Sequence, residues 1–271
     1  MFCMFSSKSV KNKRSYNEDS CTSFTLDFGK GKDSSSVTFL GVCDGIGGGV
    51  DGELYARNTL QIAGATIVRD LIEFHQEMPI PSNSISLRDL VSNAIEETKA
   101  VILEMMREKV LGNGGTTVVF GLVSDDTCYY TWLGDSRLYI IRKTPEPSIE
   151  RLTKDMTVAQ ELVDQEKIKE EDYNSHPKSH TLTRYIGSTS IRDSKAPVQS
   201  VSLSQAELLL LTSDGIHGSL SDEDILKIAQ EHLKGETSYD SLTKIADSLI
   251  TNAEEQGSHD NQTVLVYCHQ H

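Results

Sequence analysis

Val37-Thr38-Phe39-Leu40-Gly41-Val42-Cys43-Asp44-Gly45-Ile46-Gly47-Gly48-Gly49 is the stretch on which this chain turns. The residues before Asp44 form a short, β-branched, apolar run that predicts a buried strand. Four glycines in the five positions after Asp44 leave the backbone free to curl and to approach a ligand closely, with a carboxylate at the strand's end. Taken alone, the stretch also fits a glycine-rich turn with a helix-capping aspartate. The same arrangement recurs, however. Asp135, Asp214 and Asp260 each follow or abut a β-like run and lie beside Gly, Ser or Asn. Four such acidic turns are hard to explain as turns alone.

Upstream, Arg14-Ser15-Tyr16-Asn17-Glu18-Asp19 is a polar cluster leading into a strand-like segment at 20–28, and 29–36 reads as a loop. That loop lacks the spacing of a phosphate-binding loop, so its lysines are read as solvated. Downstream, Leu54, Leu60, Ile62, Ala63, Ile67, Leu71 and Ile72 fall close to helical spacing over 51–76, and Pro79 and Pro81 end the run. A second helix is expected over 87–110, and the two should cover one face of a sheet. After Gly112-Asn113-Gly114-Gly115, the segments 116–123, 128–133 and 137–142 predict a β-meander turning at Ser124-Asp125-Asp126 and Gly134-Asp135-Ser136. The stretch 153–194 is polar and irregular apart from a helical piece at 158–166, and long irregular segments in compact domains tend to be functional. An apolar run at 206–211 ends in Thr212-Ser213-Asp214-Gly215, Ser221 opens a helix, and 239–255 and 262–268 predict a helix and a last strand. No repeat or linker divides the chain. A single α+β domain over 1–271 is expected, a sandwich of sheets with helices outside.

Composition narrows the partners. The chain has 271 residues, enough for a substantial core, and 40 acidic against 26 basic residues argue against nucleic acid. No stretch approaches the roughly 18 continuous apolar residues of a membrane span. The N-terminus runs from apolar to basic, the reverse of an export signal, so a cytoplasmic protein without a membrane partner is expected. The five cysteines are scattered and never spaced as Cys-x-x-Cys, which fits reduced thiols better than disulfides or zinc.

Carboxylates clustered on strand ends, with a glycine carbonyl beside one of them, are ligands for hard divalent cations. Mg²⁺ and Mn²⁺ prefer about six oxygens. The absence of a His-Glu-x-x-His or Cys/His cluster disfavours zinc. Two such ions roughly 3.5–4 Å apart can share a water, lower its pKa and clamp both oxygens of an in-line phosphoryl displacement. Arg14, just before Glu18 and Asp19, is placed to grip a phosphate by two parallel hydrogen bonds, although alone it would be read as a surface arginine.

With these residues in view, the chain resembles the metal-dependent serine/threonine protein phosphatases of the type 2C (PPM) family, from Arg14 to about Val266. The matching motifs are Arg-Ser-Tyr-Asn-Glu-Asp at 14–19, Val-Cys-Asp-Gly-Ile-Gly-Gly at 42–48, Gly-Gly-Thr-Thr at 114–117, Leu-Gly-Asp-Ser-Arg at 133–137, Thr-Ser-Asp-Gly at 212–215 and His-Asp-Asn at 259–261. Each is weak alone, and six in the family's order are specific. The resemblance implies two antiparallel sheets packed face to face, flanked by pairs of antiparallel helices. It implies two Mn²⁺ or Mg²⁺ ions, with Asp44 bridging both, Asp214 and Asp260 on the first, and Glu18 with the Gly45 carbonyl on the second. Asp19 would hold metal-bound water, Asp135 with Asp214 would make a weaker third site, Arg14 would bind the substrate phosphate, and Asn261 would brace the Asp260 loop. It further implies phosphorylated proteins as substrates, an opposing serine/threonine kinase, and a flap-like segment at about 153–194 of the kind found in compact bacterial members.

There is one departure. Ile46 stands where many eukaryotic members carry a histidine taken to protonate the leaving oxygen, although bacterial-type members commonly have an apolar residue there. Water at a metal, His217 or His259 are then the remaining acids to consider. A competing reading is a catalytically inactive, metal-binding domain that recognises phosphoproteins, against which the complete acidic set argues. A serine hydrolase is discarded for want of a Gly-x-Ser-x-Gly elbow.

Overall fold

The structure is a computed structural model that describes residues 4–28, 35–46, 51–76, 86–143, 146–189, 195–204, 207–233 and 237–269. Gly47 to Gly49, most of the 29–36 loop, Pro79, Pro81, Cys3, Ala206 and the last two residues lie outside the described residues.

The apolar run before Asp44 forms β3 (Ser35–Asp44), paired antiparallel with β2 (Asp19–Phe28) and β4 (Val118–Ser124). That sheet continues through β5 (Thr127–Leu133) to β8 (Val198–Ser202). The second antiparallel sheet has the order β1 (Met4–Val10), β10 (Gln262–Cys268), β9 (Leu208–Thr212), β6 (Arg137–Arg142), β7 (Ser148–Arg151).

Strand alternation sorts the apolar side chains into three layers. Leu40, Val42, Val119 and Trp132 of one sheet meet Leu138, Leu209, Leu211 and Leu265 of the other, which places the sheets face to face. On the opposite faces, Phe39, Phe120 and Leu122 pack under α1 (Gly52–Gln76) and α2 (Leu87–Arg107). Leu208, Leu210, Val264 and Val266 pack under α5 (Asp222–His232) and α6 (Tyr239–Glu255). Fully buried side chains of this size contribute about 1.5–3 kcal/mol each. Ser86, Ser221 and Ser238 close capping boxes on α2, α5 and α6, with each cap contributing about 1 kcal/mol. Two short helices complete the chain, α3 (Val158–Asp164) and α4 (Asp214–His217). Among the described residues, no helix is long and apolar enough to cross a membrane.

The α+β sandwich and its helix pairs match the expectation, but the meander does not. β4 and β5 form a hairpin, whereas β6 lies in the other sheet. Gly134-Asp135-Ser136 therefore carries the chain across the end of the sandwich. Gly134 has φ +104°, and a Cβ there would lie 2.7 Å from Thr117 Cβ, so only glycine makes this crossing without strain. Strands β1, β7 and β8 were not expected. Their polar residues alternate poorly, and all three are edge strands whose pairing supplies what their composition does not.

Candidate active site

Antiparallel pairing brings the acidic turns to one end of the sandwich. Asp19 at the start of β2 pairs with Asp44 at the end of β3. In the other sheet, the start of β10 lies beside the end of β9, and the start of β6 pairs with Thr212. Asp260, Asp214 and Asp135 flank those three strand ends. A cavity of about 370 Å³ opens there, lined by Arg14, Glu18, Asp44, Gly45, Asp135, Asp214 and Asp260, with Thr117, Leu182 and Tyr185 at its wall. Asp19 does not line it. It is buried behind Asp44, and its Oδ2 accepts a hydrogen bond from Ser213 Oγ at 2.7 Å.

The main chain around Asp44 is fixed from several directions. Its N–H donates to Thr117 Oγ1 at 2.9 Å, its carbonyl accepts from Thr116 Oγ1 at 2.8 Å and from the Thr117 N–H at 2.9 Å. Thr117 is held in turn by Ser136 Oγ at 2.6 Å. Gly45 donates to the Glu18 carbonyl at 3.1 Å, an approach that a side chain would prevent, since a Cβ there would lie 2.7 Å from that oxygen. Asn261 does more than brace its own loop. Its Nδ2 donates to the carbonyls of Lys11 (3.0 Å) and Tyr16 (2.8 Å), and its Oδ1 accepts from the Glu18 N–H at 2.9 Å. It clamps the segment that carries Arg14 and Glu18. Arg14 itself donates to Asp260 Oδ2 at 2.7 Å.

The electrostatics are those of a cation site. Burial pushes the Asp44 carboxyl well above its ordinary range, and Asp19, Asp214 and Asp135 push it further. Burial and Asp214 do the same to Asp135, and burial raises Asp19 to about 7. Burial also works to raise Asp214, but a hydrogen bond from His180 and the nearby histidines outweigh it and hold that carboxyl below its usual value. Asp19 Oδ1 and Asp214 Oδ1 are buried and have no hydrogen-bond partner among the described residues. Orphaned carboxylate oxygens inside a cluster of like charge are costly unless a cation completes them. The donor set fits hard divalent ions.

The histidines separate sharply. His217 is buried, donates to or accepts from Thr212 Oγ1 at 2.9 Å, and is lowered to about 3 by burial and the Arg137 charge. It stays neutral and is absent from the cavity wall, so the structure removes it as an acid for the leaving group. His259 is exposed, with Nδ1 3.0 Å from Lys13 Nζ. His180 is the site residue that sequence reasoning missed. It lines the cavity and places Nδ1 3.2 Å from Asp214 Oδ2. The only signal for it was its position in the long polar excursion at 153–194.

A model of the protein phosphatase 2C family matches residues 4–262. The chain belongs to the protein phosphatase 2C family. It is thus a protein phosphatase. The serine/threonine phosphatase stp of Listeria welshimeri is 29% identical over 256 residues, spanning 93% of this chain and 90% of that protein. The Mycobacterium tuberculosis serine/threonine phosphatase PstP/Ppp superposes with a TM-score of 0.75 at 25% identity over 99% of both chains. The catalytic domain of PstP solved with two manganese ions shares the fold, with a TM-score of 0.69 at 23% identity over 98% of this chain and 97% of that one.

Proposed function

We propose that this protein phosphatase 2C domain hydrolyses phosphoserine and phosphothreonine in proteins by direct attack of water in line with the leaving oxygen, without a phosphoenzyme. The convergence of Glu18, Asp19, Asp44, Asp135, Asp214 and Asp260 at one end of the sandwich, with two orphaned carboxylate oxygens among them, carries this reading. Asp44, Asp214, Asp260, Glu18 and the Gly45 carbonyl would hold two divalent cations, Mn²⁺ or Mg²⁺. When bound, these supply an activated water and offset charge on the phosphoryl oxygens. Arg14, at the cavity wall, binds the substrate phosphate through its guanidinium fork. Asp19, behind Asp44 and held by Ser213, orients water rather than touching substrate. Thr117 and Ser136 keep Asp44 in place. Ile46 presents no proton, so the leaving oxygen draws its proton from solvent in the cavity.

The segment at about 153–194 acts as a flap over a single domain spanning 1–271, and Leu182 and Tyr185 bring it to the cavity wall. On this reading the protein works in the cytoplasm opposite a serine/threonine kinase, and the names of its bacterial relatives support phosphorylated proteins as its substrates. An inactive phosphoprotein-recognition domain is disfavoured because no acidic position of the set has been lost. The test is Mn²⁺-dependent phosphate release from a phosphothreonine peptide by wild type, Asp44→Asn and Asp214→Asn. Release by wild type that disappears with chelator and in both folded variants is expected. A folded, Mn²⁺-loaded wild type without turnover would move the assignment to phosphoprotein recognition.

A further inference from the structure

Three side chains from three separate elements meet beside Asp44. Asp135 comes from the β5–β6 crossing, Asp214 from the first turn of α4, and His180 from the 153–194 segment. One ligand atom of each falls within 4.8 Å of the other two. Asp135 is 6% exposed, whereas the His180 side chain is 69% exposed, so the cluster has a buried floor and a wall open to solvent. Asp214 uses Oδ2 toward His180 and leaves Oδ1 buried without a partner. The same three residues also border a void of about 20 Å³ that Arg137, Asp155 and His217 close from the other side. That volume is room for one water molecule.

We propose that His180 is a ligand at the weaker third cation site that the family resemblance gives to Asp135 and Asp214, making it a mixed nitrogen and oxygen site that prefers a first-row transition cation to Mg²⁺. The inference rests on the metal-centre reading above and deepens it. The argument is one of ligand type. A site built only of carboxylates, carbonyls and water suits Mg²⁺ and Mn²⁺ alike, whereas an imidazole nitrogen adds affinity for transition ions and little for Mg²⁺. His180 Nδ1 already lies 3.2 Å from Asp214 Oδ2, so a small change in the imidazole direction turns it from that oxygen toward a shared ion. Because His180 belongs to the flap-like segment and Asp135 and Asp214 to the sheet ends, filling the site would tie that segment to the cavity. Leu182, two residues on, is bridged to Thr157 and lines the cavity.

The test reads nitrogen rather than turnover. Protein loaded with Mn²⁺ is examined by electron spin echo envelope modulation, and Mn²⁺ and Mg²⁺ binding by equilibrium dialysis, for wild type, His180→Asn and Asp44→Asn. Wild type and Asp44→Asn should both show ¹⁴N modulation from a coordinated imidazole. His180→Asn should lose it and bind one Mn²⁺ equivalent roughly tenfold more weakly, with little change for Mg²⁺. No nitrogen modulation in wild type would overturn the proposal and reduce His180 to a hydrogen-bond partner of Asp214. Modulation that persists in His180→Asn would overturn it as well, by assigning the nitrogen to another histidine. Nitrogen coupling in a wild type that releases no phosphate would sink the phosphatase reading and leave this site standing.

Discussion

Acid should destabilise the native state through one histidine. His217 on α4 is 4% exposed, and burial together with the Arg137 charge lowers its imidazole from 6.5 to about 3. The unfolded chain takes up this proton below about pH 6.5, and the native protein does not until about pH 3, so stability is lost as pH falls through that window. Each pH unit is worth about 1.4 kcal/mol, which gives a loss of about 2 kcal/mol at about pH 5. Three buried carboxylates act in the opposite sense, while Asp155 and Asp214, held below their usual values, act with the histidine. Asp44 and Asp135 are raised well above the ordinary range and Asp19 to about 7, so the native state holds those protons more tightly and gains stability as pH falls. The wild-type profile is a sum of opposing slopes, and the histidine is isolated by difference. Urea unfolding of wild type and His217→Gln at about pH 7.5 and about pH 5, both with chelator, should show wild type losing about 2 kcal/mol more than the variant. Parallel losses would refute the buried, neutral imidazole. The same variant should slow phosphopeptides and activated aryl phosphates equally, because a group that stays neutral behind the cavity wall protonates no leaving oxygen.

The sandwich was legible because its strands are apolar on both faces or nearly so, as in Leu208 to Thr212, and its long helices carry clear caps. The carboxylates were legible for a related reason. Each follows or abuts a strand-like run, and antiparallel pairing sends the ends of β3, β5 and β9 and the starts of β2 and β10 to one end of the molecule. What was not legible depends on contacts far apart in sequence. The turn at Gly134 looks like any short hairpin, and only the pairing of β6 with β9 shows that it leaves its sheet. His180 lies in a segment with no periodicity, placed by isolated bridges from Thr157 to Leu182 and from Thr116 to Ile186. Asn261 contacts Lys11, Tyr16 and Glu18, over two hundred positions away, and no local pattern encodes such a clamp.

That clamp and a buried ion pair give two more measurable outcomes. Arg137 makes a forked contact with Asp155, Nε at 2.9 Å and Nη2 at 2.7 Å, with both side chains almost fully buried and Tyr173 Oη donating to the same carboxylate at 2.7 Å. Asp155→Asn leaves the guanidinium only the half-exposed Asp222 carboxylate, 3.9 Å away, as counter-charge and should cost about 3–5 kcal/mol in urea unfolding, while the paired change Arg137→Met with Asp155→Leu should recover most of it. A loss below about 1 kcal/mol would show that solvent already reaches the pair. Asn261→Ala removes three hydrogen bonds worth about 1 kcal/mol each, and the bonds it removes all fall on the segment bearing Arg14 and Glu18. Stability should therefore drop by about 2–3 kcal/mol, and KM for a phosphopeptide should rise more than kcat falls, since the Arg14 guanidinium proposed to bind the phosphate loses its preset position before the carboxylates of the other strand ends are disturbed. A fall in kcat at constant KM would place the effect of Asn261 on the Asp260 side instead, through the hydrogen bond from Arg14 to Asp260 Oδ2 at 2.7 Å that links the two.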